Sequence, residues 1–145
     1  MTTKIDQPIK GFKVVEPEVE GKVAPSLPIE PRPEVLRGAT YKLKLDHLPN
    51  PYYVIINQRE VEGKLVPYEL FINSLDPNHL SWSSVASRLI SAIFRNGGNV
   101  GFVAKELKEM FESAPFWYKG SQYNSMAHLI GVTIENHCER IGYVG

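Results

Sequence analysis

The chain has 145 residues, with 16 basic and 16 acidic side chains and therefore no formal net charge at pH 7. This length suits a single domain with a hydrophobic core of its own. The even charge balance argues against bulk nucleic-acid binding, because such affinity comes from clustered Lys and Arg that displace counterions. It also argues against electrostatic binding to a membrane surface.

Cys138 is the one cysteine of the chain, which excludes an internal disulfide and a cysteine-rich zinc site. No apolar run approaches the about 18 residues of a spanning helix, and the first residues lack the apolar core of a signal peptide. We therefore expect a cytoplasmic protein without membrane association. Histidines do not show the spacing of metal ligands, so we expect no metal site at His47, His79, His128 and His137.

The beginning of the chain is rich in proline. Each proline removes a backbone donor and restricts the residue before it, so the spacing blocks both helix and central strand. We predict an extended arm at residues 1–37, followed by one domain at residues 38–145. Residues 9–15 show enough apolar alternation to pack on a surface or pair with an edge strand; the alternative is a mobile leader. Six of the 11 prolines lie in this arm: Pro8, Pro17, Pro25, Pro28, Pro31 and Pro33.

Three segments predict strands. Residues 41–45 alternate apolar and basic side chains, which is typical of a strand with one buried face. Residues 52–57 are aromatic and β-branched, as in a central strand. Residues 65–73 follow a short polar link, so the second and third strands should form a hairpin.

A long amphipathic helix is predicted from about residue 82, after a cap at Asn78 or Ser81, to the double glycine Gly97-Gly98. We expect its apolar face to lie on the sheet and its polar face to point outward. The apolar face holds Trp82, Val85, Ala86, Leu89, Ile90, Ile93 and Phe94, and the polar face holds Ser84, Ser87, Arg88, Ser91 and Arg95.

Two more helices complete the prediction. Asn99 should cap the second helix, which ends before Ala114-Pro115. Residues 116–123 read as a short strand or a hairpin that turns at Lys119-Gly120. The last helix begins after Asn124 or Ser125 and ends at Gly142. We predict an α+β domain: an antiparallel sheet of about three strands covered by three helices.

The corner between the first two helices is a candidate ligand site. Gly97, Gly98 and Asn99 could offer backbone N–H groups at a helix start, with Arg88 and Arg95 one or two turns away, an arrangement that suits a phosphate. The alternative is that a helix corner needs the two glycines for its geometry alone.

Three consecutive aromatics, Phe116, Trp117 and Tyr118, are a candidate partner-binding surface, because a short β segment cannot bury all of them. The alternative is that one side packs on the sheet. Lys119 beside them is a further candidate for ligand binding. We find no acid, base and nucleophile set, and Cys138 falls on a predicted buried face. We therefore expect no catalytic residues, no cofactor and no enzyme activity.

Residues 32–44, 67–74, 88–98 and 106–108, in this order, resemble the C-terminal region of adenosylcobalamin-dependent (class II) ribonucleotide reductases. Residues 5–15 resemble the linker before that region. The resemblance implies a TSCPD-type domain, as in the separate small subunit of split enzymes or in stand-alone phage relatives. The chain departs from the family's Thr-Ser-Cys-Pro-Asp motif, because residues 123–127 read Tyr-Asn-Ser-Met-Ala, and its one cysteine cannot form the dithiol of the family's C-terminal tail.

The resemblance implies a non-catalytic accessory or regulatory protein that binds a reductase large subunit or another host protein. An alternative is a small, phage-encoded protein that binds or sequesters a nucleotide. A homo-oligomer is compatible with both.

Overall fold

The computed structural model describes residue 11 and residues 30–145. Most of the predicted arm, including its alternating segment at residues 9–15 except residue 11, therefore lies outside the described residues. The domain boundary at residue 38 stays a prediction. The described chain runs strand, strand, strand, helix, helix, hairpin, helix.

The main sheet has three antiparallel strands: β1 (Arg37–Leu43), β2 (Tyr52–Val61) and β3 (Lys64–Ser74), in the order β1-β2-β3. The predicted hairpin between β2 and β3 is confirmed. It turns at Glu62 and Gly63, which have φ angles of 50° and 76°. Positive φ angles at both positions give a two-residue turn whose twist matches that of the flanking strands. Alternate residues of the strands point inward to the core, among them Val54, Ile56, Leu70 and Ile72.

Three helices and a second hairpin complete the domain: α1 (Pro77–Arg95), α2 (Val100–Lys108), β4 (Phe116–Tyr118), β5 (Ser121–Tyr123) and α3 (Met126–Ile141). The small hairpin turns at Lys119 and Gly120, as predicted, with φ angles of 48° and 80°. Side chains of all three helices share one core with the inner face of the sheet. The predicted α+β class is confirmed. None of the helices in the described part of the chain is long and apolar enough to cross a membrane.

Local signals set most helix ends. Asn99 caps α2 by accepting the backbone N–H of Phe102 at 2.8 Å, and Ser125 caps α3 by accepting that of His128 at 2.9 Å. Gly142 ends α3 in the left-handed conformation. The predicted cap of α1 is wrong: Asp76 caps it, and the helix begins at Pro77. Proline fits the first helical position because the N–H there has no intrahelical partner.

The predicted orientation of α1 is also wrong in part. Ser87 Oγ accepts the backbone N–H of Ile72 at 2.8 Å. Ser91 Oγ accepts the N–H of Leu70 and donates to the carbonyl of Leu70, both at 2.9 Å. These serines are buried, because α1 lies along the outer edge of β3, where strand backbone groups need polar partners. Part of the apolar stripe points outward instead: Val85, Leu89 and Ile93 are 55%, 60% and 41% exposed.

Candidate functional site

A buried carboxylate gathers charged groups on the face of the sheet opposite the helices. Glu69 of β3 lies opposite Asn57 of β2 and is 0% exposed. It accepts hydrogen bonds from Arg32 Nε and Nη2 at 2.9 and 2.7 Å, from Arg95 Nη2 at 2.7 Å and from Asn57 Nδ2 at 2.8 Å. Gly38 of β1 lies opposite Asn57, and a side chain there would overlap Asn57 Oδ1.

The electrostatics keep Glu69 ionised. Hydrogen bonding from Arg32 is the largest cause that lowers its pKa, to about 2; burial opposes this shift, and Asn57 and Arg95 add to it. A carboxylate with so low a pKa, whose oxygens already accept four hydrogen bonds, is unsuited to carry a proton as a general base at neutral pH. The role of Glu69 is therefore to hold Arg32 and Arg95 in position.

A β-bulge next to Glu69 brings in a third arginine. The register shifts between Asn57 and Gln58, so Tyr68 has no residue opposite it. The guanidinium carbons of Arg59 and Arg95 lie 5.1 and 5.6 Å from the centre of the Tyr68 ring, within cation–π range. Arg32 and Arg95 thus bind the Glu69 carboxylate directly, whereas Arg59 lies over Tyr68 and pairs with Glu30 at 3.5 Å.

A groove of about 540 Å³ runs between α1 and β3 beside this cluster. Arg88 and Arg95, which the sequence placed near a phosphate, both line it. Phe71 and Asn73 of β3 line the opposite wall, and Phe71 is 38% exposed. The groove therefore combines two guanidiniums, an amide and an aromatic side chain.

The glycine corner offers fewer donors than the sequence predicts. The N–H of Gly97 donates to Phe94 O at 3.1 Å, and the N–H of Gly98 donates to Ile93 O at 2.8 Å. A Cβ on Gly98 would overlap the side chain of Ile93 and lie 2.9 Å from its carbonyl oxygen. Asn99 uses its side chain as the α2 cap. The N–H groups of Gly97 and Gly98 are thus used within the turn itself. Arg88 and Arg95 line the groove between α1 and β3.

The three aromatics of the small hairpin have different surroundings. Phe116 packs in the core and stacks on Tyr123, with ring centres 6.0 Å apart. Tyr118 is partly buried, and Lys119 Nζ lies 5.3 Å from the centre of its ring. Trp117 is 68% exposed. Trp117 is therefore the main candidate among the three for contact with a partner.

The family model of the TSCPD domain matches residues 22–138, which is most of the chain. The chain belongs to the TSCPD domain family. This domain is found in class II ribonucleotide reductases, so the resemblance inferred from the sequence is confirmed at the level of the family. No curated protein and no solved structure matches the chain significantly.

In this TSCPD domain Ser125, within the stretch at residues 123–127, has a structural role. It caps α3 and also donates its hydroxyl to Met110 O at 2.7 Å, which joins the segment just after α2 to the start of α3. Cys138 is half-buried, and burial, with a smaller effect of Glu135, raises the pKa of its thiol to about 11. The thiol is therefore protonated at neutral pH and a poor nucleophile.

His137 of the TSCPD domain is 1% exposed and links α3 to the sheet. Its Nδ1 lies 2.7 Å from the hydroxyl of Tyr41, and its Nε2 lies 3.1 Å from Gln58 Oε1. Burial, and to a lesser degree Arg140, lowers the pKa of His137. Within residues 30–145, His, Cys, Asp and Glu side chains form no group of three that could hold a metal ion.

Sequence reasoning found Arg88 and Arg95 but missed the cluster around Glu69. Strand pairing and the bulge place Asn57, Arg59 and Tyr68 there. Arg32, which precedes β1, reaches Glu69 from outside the sheet. One signal was present: a glutamate inside the apolar run of β3, since such a residue is seldom buried without a cationic partner.

Proposed function

We propose that this TSCPD domain is an accessory protein that acts by docking on the large subunit of a class II ribonucleotide reductase. The observation that carries the proposal is an exposed apolar ridge on α1, formed by Val85, Leu89 and Ile93. These side chains recur every four residues, so they lie in one row along the helix. Exposed apolar patches of this kind mark interaction sites. We choose the reductase large subunit as the partner because TSCPD domains are found in these reductases.

The ionisable groups support docking over catalysis. The Cys138 thiol is protonated, His137 is buried with both ring nitrogens within hydrogen-bond distance of a partner, and Glu69 is saturated by donors. None of these three groups is placed to exchange a proton with a substrate. Binding, which requires only a surface, fits their arrangement better.

A pull-down against a purified class II large subunit tests the proposal. We expect the large subunit to retain the parent chain but not the Leu89→Glu variant. A carboxylate in the centre of the ridge would have to lose its hydration on binding, which is unfavourable. Trp117→Ala tests whether the hairpin contributes to the same contact. Val144→Glu is the matched control, since Val144 is 97% exposed and lies outside α1. The proposal is wrong if the parent is not retained, or if Leu89→Glu and Val144→Glu bind alike.

A second candidate function is nucleotide binding, which we propose for the groove between α1 and β3. Arg88 supplies charge for a phosphate beside Arg95, which Glu69 holds in place. Phe71 supplies a face for a base, and Asn73 supplies an amide that can bond a base edge. The volume of about 540 Å³ suits a small-molecule site. This groove replaces the glycine corner as the proposed place of binding.

Thermal unfolding with a panel of nucleotides tests this second candidate. A nucleotide present at about 100 times its dissociation constant should stabilise the fold by roughly 2.7 kcal/mol. Arg88→Ala should abolish the shift, whereas Lys105→Ala on the exposed face of α2 should keep it. A panel without any shift in the parent chain would rule the candidate out.

A further inference from the structure

The two edges of the main sheet differ. Along β3, the hydroxyls of Ser87 and Ser91 of α1 form hydrogen bonds with outward backbone groups of Ile72 and Leu70. The other edge belongs to β1, which pairs with β2 alone among residues 30–145. Within the same residues, no other hydrogen bond reaches the backbone of residues 37–43. One edge is closed by a helix. At the other, no group of the described residues bonds the N–H and C=O groups of β1 that point away from β2.

Two adjoining clefts follow the open edge of β1. The first, of about 330 Å³, lies between β1 and α3 and is lined by Thr40, Val132 and Asn136. The second, of about 340 Å³, lies at the end of β1 beside the exposed ring of Trp117. Tyr118 and Lys119 of the small hairpin line both. Within residues 30–145, the edge thus has open space beside it along the strand rather than a packed neighbour.

Charge selects what can enter these clefts. Lys42, Lys44 and Lys119 line the second cleft, against one carboxylate, that of Asp46. In a second copy paired edge to edge, any register that places Lys42 opposite Lys42 or Lys44 sets like charges against each other, which is destabilising. An extended segment with alternating acidic side chains would instead place its carboxylates beside the lysines.

We propose that the open edge of β1 binds an extended acidic segment of a partner protein by strand addition. The backbone of the segment pairs with the outward groups of β1, its carboxylates meet Lys42, Lys44 and Lys119, and Trp117 covers one end. This site lies on the edge of the sheet opposite α1, so it does not depend on the docking ridge or on the nucleotide groove.

Calorimetric titration of the full chain with a synthetic peptide tests the proposal. The probe is a capped peptide of about eight residues that alternates Val and Glu, the length of a typical strand. Two controls share its length: one replaces Glu by Lys, and the other carries N-methyl groups on alternate residues, which remove backbone donors but keep the charge. We expect the first peptide to bind and both controls to bind at least about tenfold more weakly.

Variants of the chain locate the site. Lys42→Glu combined with Lys44→Glu should weaken binding by at least about tenfold. Lys64→Glu combined with Lys105→Glu has the same net charge and leaves β1 unchanged, so it should bind like the parent. Circular dichroism checks that both double variants are folded.

Several results would overturn the proposal. Equal binding of the N-methylated peptide would show attraction by charge alone, without strand addition. Slow hydrogen exchange of outward β1 amides in the free chain would show that the chain's own residues already occupy the edge. A dimer dissociated by the peptide would assign the edge to a second copy. Failure of the reductase pull-down bears on the proposed function and leaves these peptide results unaffected.

Discussion

At the scale of single residues, Glu69 joins parts of the chain that are distant in sequence. Arg32 lies 37 positions before it, and Arg95 lies 26 positions after it. Asn57, on the neighbouring strand, is the third donor. One carboxylate therefore ties the segment before β1 and the last turn of α1 to the middle of the sheet, and the position of Arg95 in the groove depends on it.

We predict that Glu69→Gln lowers the free energy of unfolding by about 2 kcal/mol at neutral pH, because hydrogen bonds to a charged acceptor contribute about 1.5–3 kcal/mol. The amide keeps one acceptor oxygen but loses the charge that holds the two arginines. Urea unfolding measures the change. Glu60→Gln, at an exposed position of β2, is the control and should change stability little. Equal effects of the two substitutions would contradict the central role of Glu69.

Sequence could indicate that Glu69 is unusual but not which residues pair with it. Arg95 was a candidate because it lies on the polar face of an amphipathic helix just before the glycine corner, and its predicted ligand was a phosphate at that corner. In the structure it donates to Glu69 instead. This pairing depends on α1 lying along the edge of β3, a tertiary arrangement that no spacing within α1 encodes.

At the scale of elements, α1 shows that a polar stripe on a helix can face inward. Ser87 and Ser91 satisfy backbone groups that a fourth strand would otherwise bond. The helix thus closes a sheet edge that would otherwise be open to pairing with another chain.

We predict that Ser91→Ala destabilises the domain by about 1–3 kcal/mol, because it leaves the buried N–H and C=O of Leu70 without their partner. Ser84→Ala in the same helix is the matched control, since Ser84 is exposed, and it should change stability by less than about 0.5 kcal/mol. Denaturant unfolding compares the two. A similar loss in both variants would contradict the role of the β3 edge, because Ala favours a helix more than Ser does and helix propensity cannot cause a loss.

Elements with local signals were predicted well. The β2–β3 hairpin, the turn at Lys119-Gly120, the cap at Asn99 and the end at Gly142 all follow from short-range preferences for particular backbone conformations. The buried face of α1 was predicted wrongly in part, because an interpretation from hydrophobic periodicity assumes that the helix packs on a flat apolar surface. A strand edge needs hydroxyl donors and acceptors, so it selects serines where a sheet face would select leucines.

At the scale of the whole molecule, two buried ionisable groups hold the layers together from opposite faces of the sheet. Glu69 joins β3 to β2, to α1 and to the segment before β1, while His137 joins α3 to β1 and β2 through Tyr41 and Gln58. Both have a pKa that is lowered in the folded chain. Each therefore binds protons more readily in the unfolded chain, and acid should weaken the fold through both.

We predict that stability declines in two stages as pH falls. The contribution of neutral His137 is complete above its ordinary pKa of 6.5 and is lost as pH falls below that value, because protonation then favours the unfolded chain. The contribution of ionised Glu69 is complete above its ordinary pKa of 4.5 and is lost as pH falls from there toward about 2. Urea midpoints measured across this range should show both stages. In Glu69→Gln the upper stage should remain and the lower stage should shrink, so the parent and the variant converge in strong acid. A parent chain equally stable from neutral pH down to about 4.5 would contradict the role assigned to His137.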